Sequence, residues 1–302
     1  DPLVGDYPGY NFSVNQNCCN DLLGDQTLWW VFNDAGNTHT ETGGLSFGFE
    51  IQAQAFGFKT TDALNDATFY QYKVINRSPY AYSQFYWGQW TDSDLGLYDD
   101  DFVGCDVGRG MVYCYNGDAD DGGNAPGTYG LFPPAVGVDI VGGPFADAND
   151  GIDNDRDSAI DESGERIKMS KFLYYSGDFT STGNPETADD FYNFLKGRWK
   201  DNTQMTYGGN GHATGVPCDF MFPGTTDPYG WGTNGIPQTP WDEASSLNTP
   251  ADRRLLMSCG PFTMQPGQVQ CITTAAVWAR DTVTPWPGGS VTALQQADDL
   301  AQ

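Results

Sequence analysis

Short runs of strand-forming residues recur along the whole chain and are separated by turn-forming residues. Thirty-eight Gly and eighteen Pro, together with many Asn, Asp, Ser and Thr, indicate numerous turns. The runs are rich in aromatic and β-branched side chains and occupy residues 28–32, 47–58, 68–76, 84–91, 111–115, 135–141, 168–175 and 270–279. Because helical segments do not alternate with these runs, the pattern predicts a mainly β fold, an antiparallel β-sandwich of the jelly-roll or immunoglobulin-like kind.

The last third of the chain contains the clearest hairpin signal and a possible helix. Residues 255–264 and 269–279 are strand-like, and residues 265–268 (Gln-Pro-Gly-Gln) predict the turn between them. Helical signals are few: residues 187–199 are the best candidate, and a second helix is expected to begin near Val291. We therefore expect one or two short helices beside the sheets.

The length and the aromatic content indicate a folded chain with a large core. The chain has 302 residues, with nine Trp, sixteen Tyr and eighteen Phe. We expect a single β-sandwich module over residues 1–302, with loop insertions and a possible subdivision near residues 145–165. No apolar run approaches the length of a membrane span. Since Asp1 is an unusual first residue, we also expect the chain to be a piece of a longer precursor.

The net charge of −26 excludes several classes of partner. Nucleic acid and anionic membranes both need Lys and Arg to displace counterions, and this chain has 14 basic residues against 40 acidic ones. Neither is therefore an expected partner, and the charge fits a solvated or cation-loaded exterior.

One short loop concentrates this negative charge. Residues 147–162 contain seven acidic residues, two Asn and one Arg. Calcium takes about six to eight oxygen ligands from carboxylates, amides and carbonyls, which this composition offers. The D-x-D-x-D-x-x-x-D spacing is typical of EF-type or thrombospondin-type calcium loops. We predict Ca²⁺ here, held among Asp147, Asn149, Asp153, Asp155, Asp157, Asp161 and Glu162.

The loop also departs from a standard EF-hand. Ser158 replaces the usual loop Gly, and Gly164 stands where the bidentate Glu is expected, so Glu162 or Glu165 would substitute. Asp147 and Asn149 could serve a second ion. The alternative interpretation is a solvated acidic loop without metal.

A second acidic cluster gives another candidate calcium site. Its predicted ligands are Asp92, Asp94, Asp99 and Asp101, with Asp100 beside them. Ordinary turn acids and helix N-caps are the alternative explanation. A weaker third patch contains Asp118, Asp120 and Asp121, which a Gly- and Asp-rich loop explains equally well.

The seven cysteines suggest an oxidising environment. Cys105 and Cys114 flank a predicted turn, so we expect a cross-strand disulfide between them. The connectivity of the others stays open: Cys18, Cys19, Cys218, Cys259 and Cys271. No C-x-x-C motif is present and there are only two His, which argues against a zinc site.

Signals for catalysis are weak. Residues 44–48 match G-x-S-x-G, but that motif needs a strand before it and a helix after it. His39 and His212 lie in loop-like segments and are expected to be surface residues. We therefore expect no enzymatic activity. Trp residues at 87–90, 199, 231 and 241, with abundant carboxylates, motivate one alternative, a carbohydrate-binding or glycan-cleaving module.

Several segments in order resemble a known group of exported proteins. They lie at residues 21–34, 50–58, 69–78, 90–96, 103–106, 113–118, 133–139 and 150–155. Over nearly the whole chain the sequence resembles large secreted Bacteroidota proteins that carry a C-terminal type IX secretion sorting domain. The resemblance implies Sec export, passage through the type IX machinery and an extracellular or cell-surface location. It implies no catalytic residues. No sorting domain is recognisable, consistent with cleavage or truncation after Gln302.

These features together predict a calcium-stabilised extracellular structural protein. We expect it to serve in a surface layer, an adhesin or a self-assembling filament, as a homo-oligomer. A glycan ligand belongs to the alternative interpretation.

Overall fold

The fold is mainly β, and its sheets are antiparallel. The structure, a computed structural model, describes residues 22–123 and 125–302. The elements in these residues are β1 (Gln26–Asn33), β2 (Phe49–Gly57), β3 (Ala67–Asn76), β4 (Tyr82–Asp92), β5 (Asp101–Asp106), β6 (Met111–Asn116), β7 (Asp120–Asp121), β8 (Gly130–Leu131), β9 (Ala135–Gly142), β10 (Lys171–Tyr175), β11 (Arg254–Met264), β12 (Val269–Ala279), α1 (Ala188–Leu195) and α2 (Gly288–Ala301). All the predicted strand runs overlap a strand. In the part of the chain that the structure describes, no helix is long and apolar enough to cross a membrane.

Two sheets form the body of the sandwich. The larger has seven strands in the order β1-β2-β3-β12-β9-β6-β5, and the smaller has three in the order β10-β11-β4. Strands β7 and β8 form a separate small ribbon. Neighbouring strands run antiparallel throughout. The predicted antiparallel β-sandwich is confirmed.

Both faces of the seven-stranded sheet are covered, except along its edge strand β1. One face meets the three-stranded sheet, where Val74 and Ile272 share a core with Phe172 and Met257. The other face carries α2, whose buried side chains join Val277 and its neighbours in a second core. Burial of this apolar area is the main stabilising contribution to such a fold.

The predicted hairpin at residues 255–279 is wrong, although both strands and the turn are present. β11 pairs with β10 and β4, whereas β12 pairs with β3 and β9, so the turn carries the chain from one sheet to the other. The turn is fastened to the end of β3: Gly267 N donates to Asn76 O at 2.8 Å, and Asn76 N donates to Gln268 O at 3.1 Å. Gly267 takes a left-handed φ of 78°, which suits glycine.

Both predicted helices are present. α1 begins with a capping box: Asp190 N donates to the Thr187 side chain, and the Asp190 side chain accepts from Thr187 N. It ends at Leu195, four residues before the predicted end. α2 begins at Gly288, three residues before the predicted start at Val291, and continues to Ala301.

The predicted disulfide between Cys105 and Cys114 is wrong, because both residues are buried free thiols. The register pairs Cys105 with Val112 and Cys114 with Val103, so the two cysteines are diagonal neighbours. Diagonal Cα atoms in an antiparallel pair lie roughly 7–8 Å apart, beyond the usual disulfide range. Burial raises the pKa of both thiols.

The remaining cysteines differ in whether they are free or disulfide-bonded. Cys218 and Cys259 are also buried free thiols. Cys271 is disulfide-bonded. The predictions for Cys18 and Cys19 lie outside the described residues.

A buried ion pair connects the two sheets. Glu243 and Arg253 are both almost fully buried, with 2.7 Å between Glu243 Oε1 and Arg253 Nη2. Glu243 Oε2 accepts from Val103 N of β5 at 2.7 Å, in the larger sheet. The Arg253 guanidinium lies 4.8 Å from the ring centre of Tyr174 of β10, in the smaller sheet. Both charges are therefore paired, and loss of one would leave the other uncompensated in the core.

We predict that Arg253→Met lowers the free energy of unfolding by about 3–5 kcal/mol, because Glu243 is then left buried without its cation. Urea unfolding followed by circular dichroism measures this. Arg77→Met is the matched control, since the Arg77 side chain is 53% exposed in its pair with Glu50 and its loss should change stability by less than about 1 kcal/mol. Equal losses in the two variants would contradict the prediction.

Candidate metal centre

The acidic loop connects the two sheets and is held at both ends. It follows β9 of the larger sheet and leads into β10 of the smaller one. Its ends pair as an antiparallel bridge between Phe145 and Arg166, and Ala146 N donates to Glu165 O at 3.0 Å. Arg156 points away from the acids into the protein, where it donates to Val107 O at 3.1 Å and to Met169 O.

Three predicted ligands come together at the tip of this loop. Asp153, Asp155 and Asp157 each offer a carboxylate oxygen, and these oxygens lie within 4.8 Å of one another. The loop wraps around them: Asp157 N donates to Asp153 Oδ1 at 3.1 Å and to Asp155 Oδ1 at 3.2 Å. Left-handed φ angles at Arg156 and Ser158 produce this tight curvature. The alternating D-x-D-x-D spacing therefore places three carboxylates on one side, as predicted.

A second group of three shares one of these residues. Asp155, Glu162 and Glu165 also offer carboxylate oxygens within 4.8 Å of one another. Glu165 is buried and accepts from Asn154 N, while Glu162 Oε2 is buried without a hydrogen-bond partner. The pKa of Glu162 is raised. A backbone hydrogen bond acts against this rise, but desolvation and the charges of Glu165, Asp157 and Asp155 outweigh it.

The two groups place five carboxylates around Asp155 with no basic side chain among them. Within residues 22–123 and 125–302, none of the five forms an ion pair with Lys or Arg. Such a set of oxygens is the donor type that Ca²⁺ prefers. These residues could therefore hold one or two divalent cations.

The remaining predicted ligands of this loop lie outside both groups. Asp147 ties the loop to β11 instead, since its carboxylate accepts from Thr263 N at 2.9 Å and Thr263 Oγ1 at 2.6 Å. Asp161 accepts from Gly151 N at 3.1 Å and closes the loop internally. Asn149 takes a left-handed turn conformation.

The fold separates the predicted ligands of the second site from one another. Asp92 and Asp94 form a group of three with Asp252, which sequence spacing did not indicate because Asp252 is distant in the chain. The pairing of β4 with β11 brings it there, and Arg254 pairs with Asp252 at 2.9 Å and Asp92 at 3.5 Å. Because one cation already lies among these acids, this group is a weaker metal candidate than the loop.

Asp99 and Asp101 do not join that group. Asp101 begins β5 and points inward, where its Oδ2 accepts from Leu95 N at 3.2 Å and its Oδ1 has no hydrogen-bond partner. Burial raises the pKa of Asp101 to about 8, partly opposed by the Leu95 hydrogen bond. Burial and the nearby charge of Asp121 raise the pKa of Asp100 to about 6. This pair of perturbed acids is a structural feature that the sequence pattern did not identify.

The G-x-S-x-G motif lacks its catalytic context. Residues 44–48 form an irregular segment that leads into β2, whereas a nucleophile elbow needs a strand followed by a helix. His39 Nε2 contacts Asp34 O at 2.8 Å, and His212 Nε2 contacts Asp201 Oδ2 at 3.2 Å. In the described residues neither histidine is hydrogen-bonded to Ser46.

The tryptophans that motivated a sugar-binding surface do not form one. Trp199 and Trp241 are buried, and Trp87 and Trp231 pack against the same core. Trp90 is 50% exposed, and its Nε1 donates to Tyr175 OH at 2.8 Å. The glycan alternative stays a prediction without a shared aromatic platform.

Comparisons with known proteins assign no family to this fold and site. No protein-family model matches the chain, and no curated protein matches it. The resemblance to type IX-secreted proteins stays a prediction.

We predict that Asp101→Asn reduces the loss of stability with rising pH. An acid with a folded pKa of about 8 and an ordinary unfolded pKa of about 3.9 binds its proton more tightly in the native state. Its contribution is full below about pH 4 and disappears as the pH rises through about 8. Urea unfolding at pH 5 and pH 8, both with chelator, measures the difference.

The control for this variant is Asp99→Asn, which removes an equal charge at a neighbouring residue. At pH 8 we expect Asp101→Asn to be more stable than Asp99→Asn by at least about 1 kcal/mol. The same pH dependence in both variants would show that Asp101 is not the titrating group.

Proposed function

We propose that the protein is a calcium-stabilised extracellular structural protein of a surface layer, adhesin or self-assembling filament. One observation carries this proposal: the carboxylates of Asp153, Asp155, Asp157, Glu162 and Glu165 converge in one loop without a paired basic residue. Like charges at these separations repel one another, and a divalent cation would offset that repulsion.

The position of the loop suits a structural role for the ion. The loop runs from β9 to β10 and therefore joins the two sheets of the sandwich. The Arg156 guanidinium extends from it over the rings of Phe220, at 5.2 Å, and Trp231, at 5.8 Å. An ion that fixes the loop would also hold this arginine in place against the core.

An extracellular location would supply calcium to such a site. Calcium-binding extracellular modules work with dissociation constants of about 10⁻⁴–10⁻³ M, so even a weak site of this kind would be occupied there. The net charge of −26 is likewise compatible with a cation-rich exterior.

An exposed apolar stripe supports assembly with further copies of the chain. Leu28, Trp30 and Phe32 alternate along β1 and are 61%, 38% and 42% exposed, so they share one face. Apolar side chains gathered on one strand are typical of an interaction surface. We propose that this stripe contacts a second copy of the protein.

Calcium should stabilise the folded chain, and Asp155→Asn should remove much of that effect, because Asp155 belongs to both carboxylate groups. An ion that binds only the native state stabilises it by about 2.7–4.1 kcal/mol at roughly 100 to 1,000 times Kd. Thermal unfolding in Ca²⁺ and in EDTA measures this. Asp99→Asn, which has the same charge change outside both groups, should respond like the wild type. A melting temperature that EDTA leaves unchanged would reject calcium binding.

Assembly should depend on the apolar stripe. We expect Leu28→Ser/Trp30→Ser to shift the sedimentation distribution in Ca²⁺ toward monomer, because less apolar area is buried between copies. The matched control is Leu45→Ser/Leu247→Ser, which removes two exposed apolar side chains elsewhere. A wild-type chain that stays monomeric at high concentration, or equal distributions for the two variants, would contradict the proposed interface.

A further inference from the structure

Three oxygen atoms converge on a single nitrogen at the end of α2. Gln302 Nε2 lies 3.1 Å from Arg109 O, 3.2 Å from Asp298 Oδ2 and 3.3 Å from Asp139 Oδ2. A side-chain amide has only two N–H donors, so it cannot satisfy three acceptors at once. At least one of the three oxygens is therefore left without a full hydrogen bond, and a cation at this point could contact all three.

The two carboxylates have further unused oxygens. Asp139 of β9 and Asp298 of α2 are both completely buried, and the Oδ1 atom of each has no hydrogen-bond partner. Buried polar atoms are nearly always paired, since leaving one unpaired costs about 1–3 kcal/mol. Each of the two carboxylates therefore has one oxygen available for a further partner.

The charges of two basic residues act on the buried carboxylates. Arg109 is already paired, with Asp106 at 2.7 Å and with Asp299 at 2.8 Å. Lys168 is a basic residue whose charge acts on Asp139. Within the described residues no ion pair joins a Lys or Arg to Asp139 or Asp298, so neither buried carboxylate has a paired cation.

The end of α2 and the backbone at Gly110 also bear on whether a cation binds beside Asp298 and Asp139. Asp298 lies in the last turn of α2, where the helix dipole disfavours a negative charge and favours a cation. Gly110 lies beside Asp139, since a Cβ atom there would be 3.4 Å from Asp139 Oδ1. Its left-handed φ of 92° also disfavours any larger residue. Gln302 is exposed, so its side chain has room to move away from the two carboxylates.

We propose that Asp139, Asp298 and the carbonyl of Arg109 form a second divalent-cation site, separate from the acidic loop, which Ca²⁺ occupies by displacing the Gln302 amide nitrogen. The donors are all oxygen, which selects a hard ion. The ion fastens α2 onto the seven-stranded sheet, because one carboxylate comes from the helix and the other from β9.

The test counts bound calcium in the full chain by isothermal titration calorimetry. Asp298→Asn should bind one Ca²⁺ fewer per chain than Asp299→Asn, a matched control on the same helix whose side chain lies outside the site. Both variants are also made in the Asp155→Asn background, so loss of the loop site and loss of this site are counted separately. Equal calcium numbers for Asp298→Asn and Asp299→Asn would overturn the proposed site.

Hydrogen exchange of α2 gives a second readout, in the Asp155→Asn background. When Asp298 is present, we expect the α2 amides to exchange more slowly in Ca²⁺ than in EDTA. In Asp298→Asn, the α2 amides should exchange at the same rate in Ca²⁺ and in EDTA. Equal exchange in Ca²⁺ and EDTA with Asp298 present would overturn the site.

A third variant changes an exposed side chain, so its folding does not depend on whether the core accepts a substitution. Gln302→Lys places a tethered ammonium group at the exposed entrance, so it should lose one bound Ca²⁺ while α2 stays protected in EDTA. Unchanged calcium binding by Gln302→Lys would contradict displacement of the Gln302 nitrogen by the ion.

Discussion

Burial of both faces of the seven-stranded sheet is the constraint on which the rest of the structure depends. Most strands of this sheet carry apolar side chains on both faces, and the chain supplies the three-stranded sheet as a cover for one side and α2 for the other. Every residue of β5 is buried, including two aspartates, Asp101 and Asp106. Negative charge is thus enclosed in the protein as well as spread over its surface, and each enclosed carboxylate must be paired, protonated or bound to a cation.

The structure shows the first two solutions, and we propose the third at the acidic loop. Glu243 is paired with Arg253 between the sheets. Asp101 is kept close to its protonated form, because burial raises its pKa to about 8. In the acidic loop none of the five converging carboxylates is paired with a Lys or Arg of the described residues, and we propose that a cation binds there.

The sequence predicted the strands well because their signal is local. Side-chain type and turn residues mark a strand regardless of its neighbours, and so the bounds of β11 and β12 were nearly correct. The pairing of those strands was wrong, because the Gln265–Gln268 turn is compatible with either a hairpin or a crossing between sheets. The choice depends on β3, whose Asn76 fastens the turn and is distant in sequence.

The same distinction explains which site residues could be predicted. Asp153, Asp155 and Asp157 converge because alternate residues of one tight turn face the same side, which spacing alone indicates. Spacing alone offered Glu162 and Glu165 as alternative replacements for the bidentate Glu of an EF-hand. The position of Glu165 depends on the bridge between Phe145 and Arg166, which spacing does not reveal. Asp252 and Cys105 depend on strand register, which places Asp252 beside Asp92 and separates Cys105 from Cys114. No local pattern contains that information.

Strand β9 connects the two regions where negative charge is concentrated. Val138 and Ile140 face the core between the sheets, so the intervening Asp139 faces the opposite side, toward α2. The strand then ends at Gly142 and continues into the acidic loop. Because β9 lies between β12 and β6 in the larger sheet, a displacement at either end of it would be transmitted to both neighbours. Cations at the loop and at Asp139 would therefore bind at two places on β9, namely its end and the face that α2 covers. In this way some of the 40 acidic residues of the chain would help to order it.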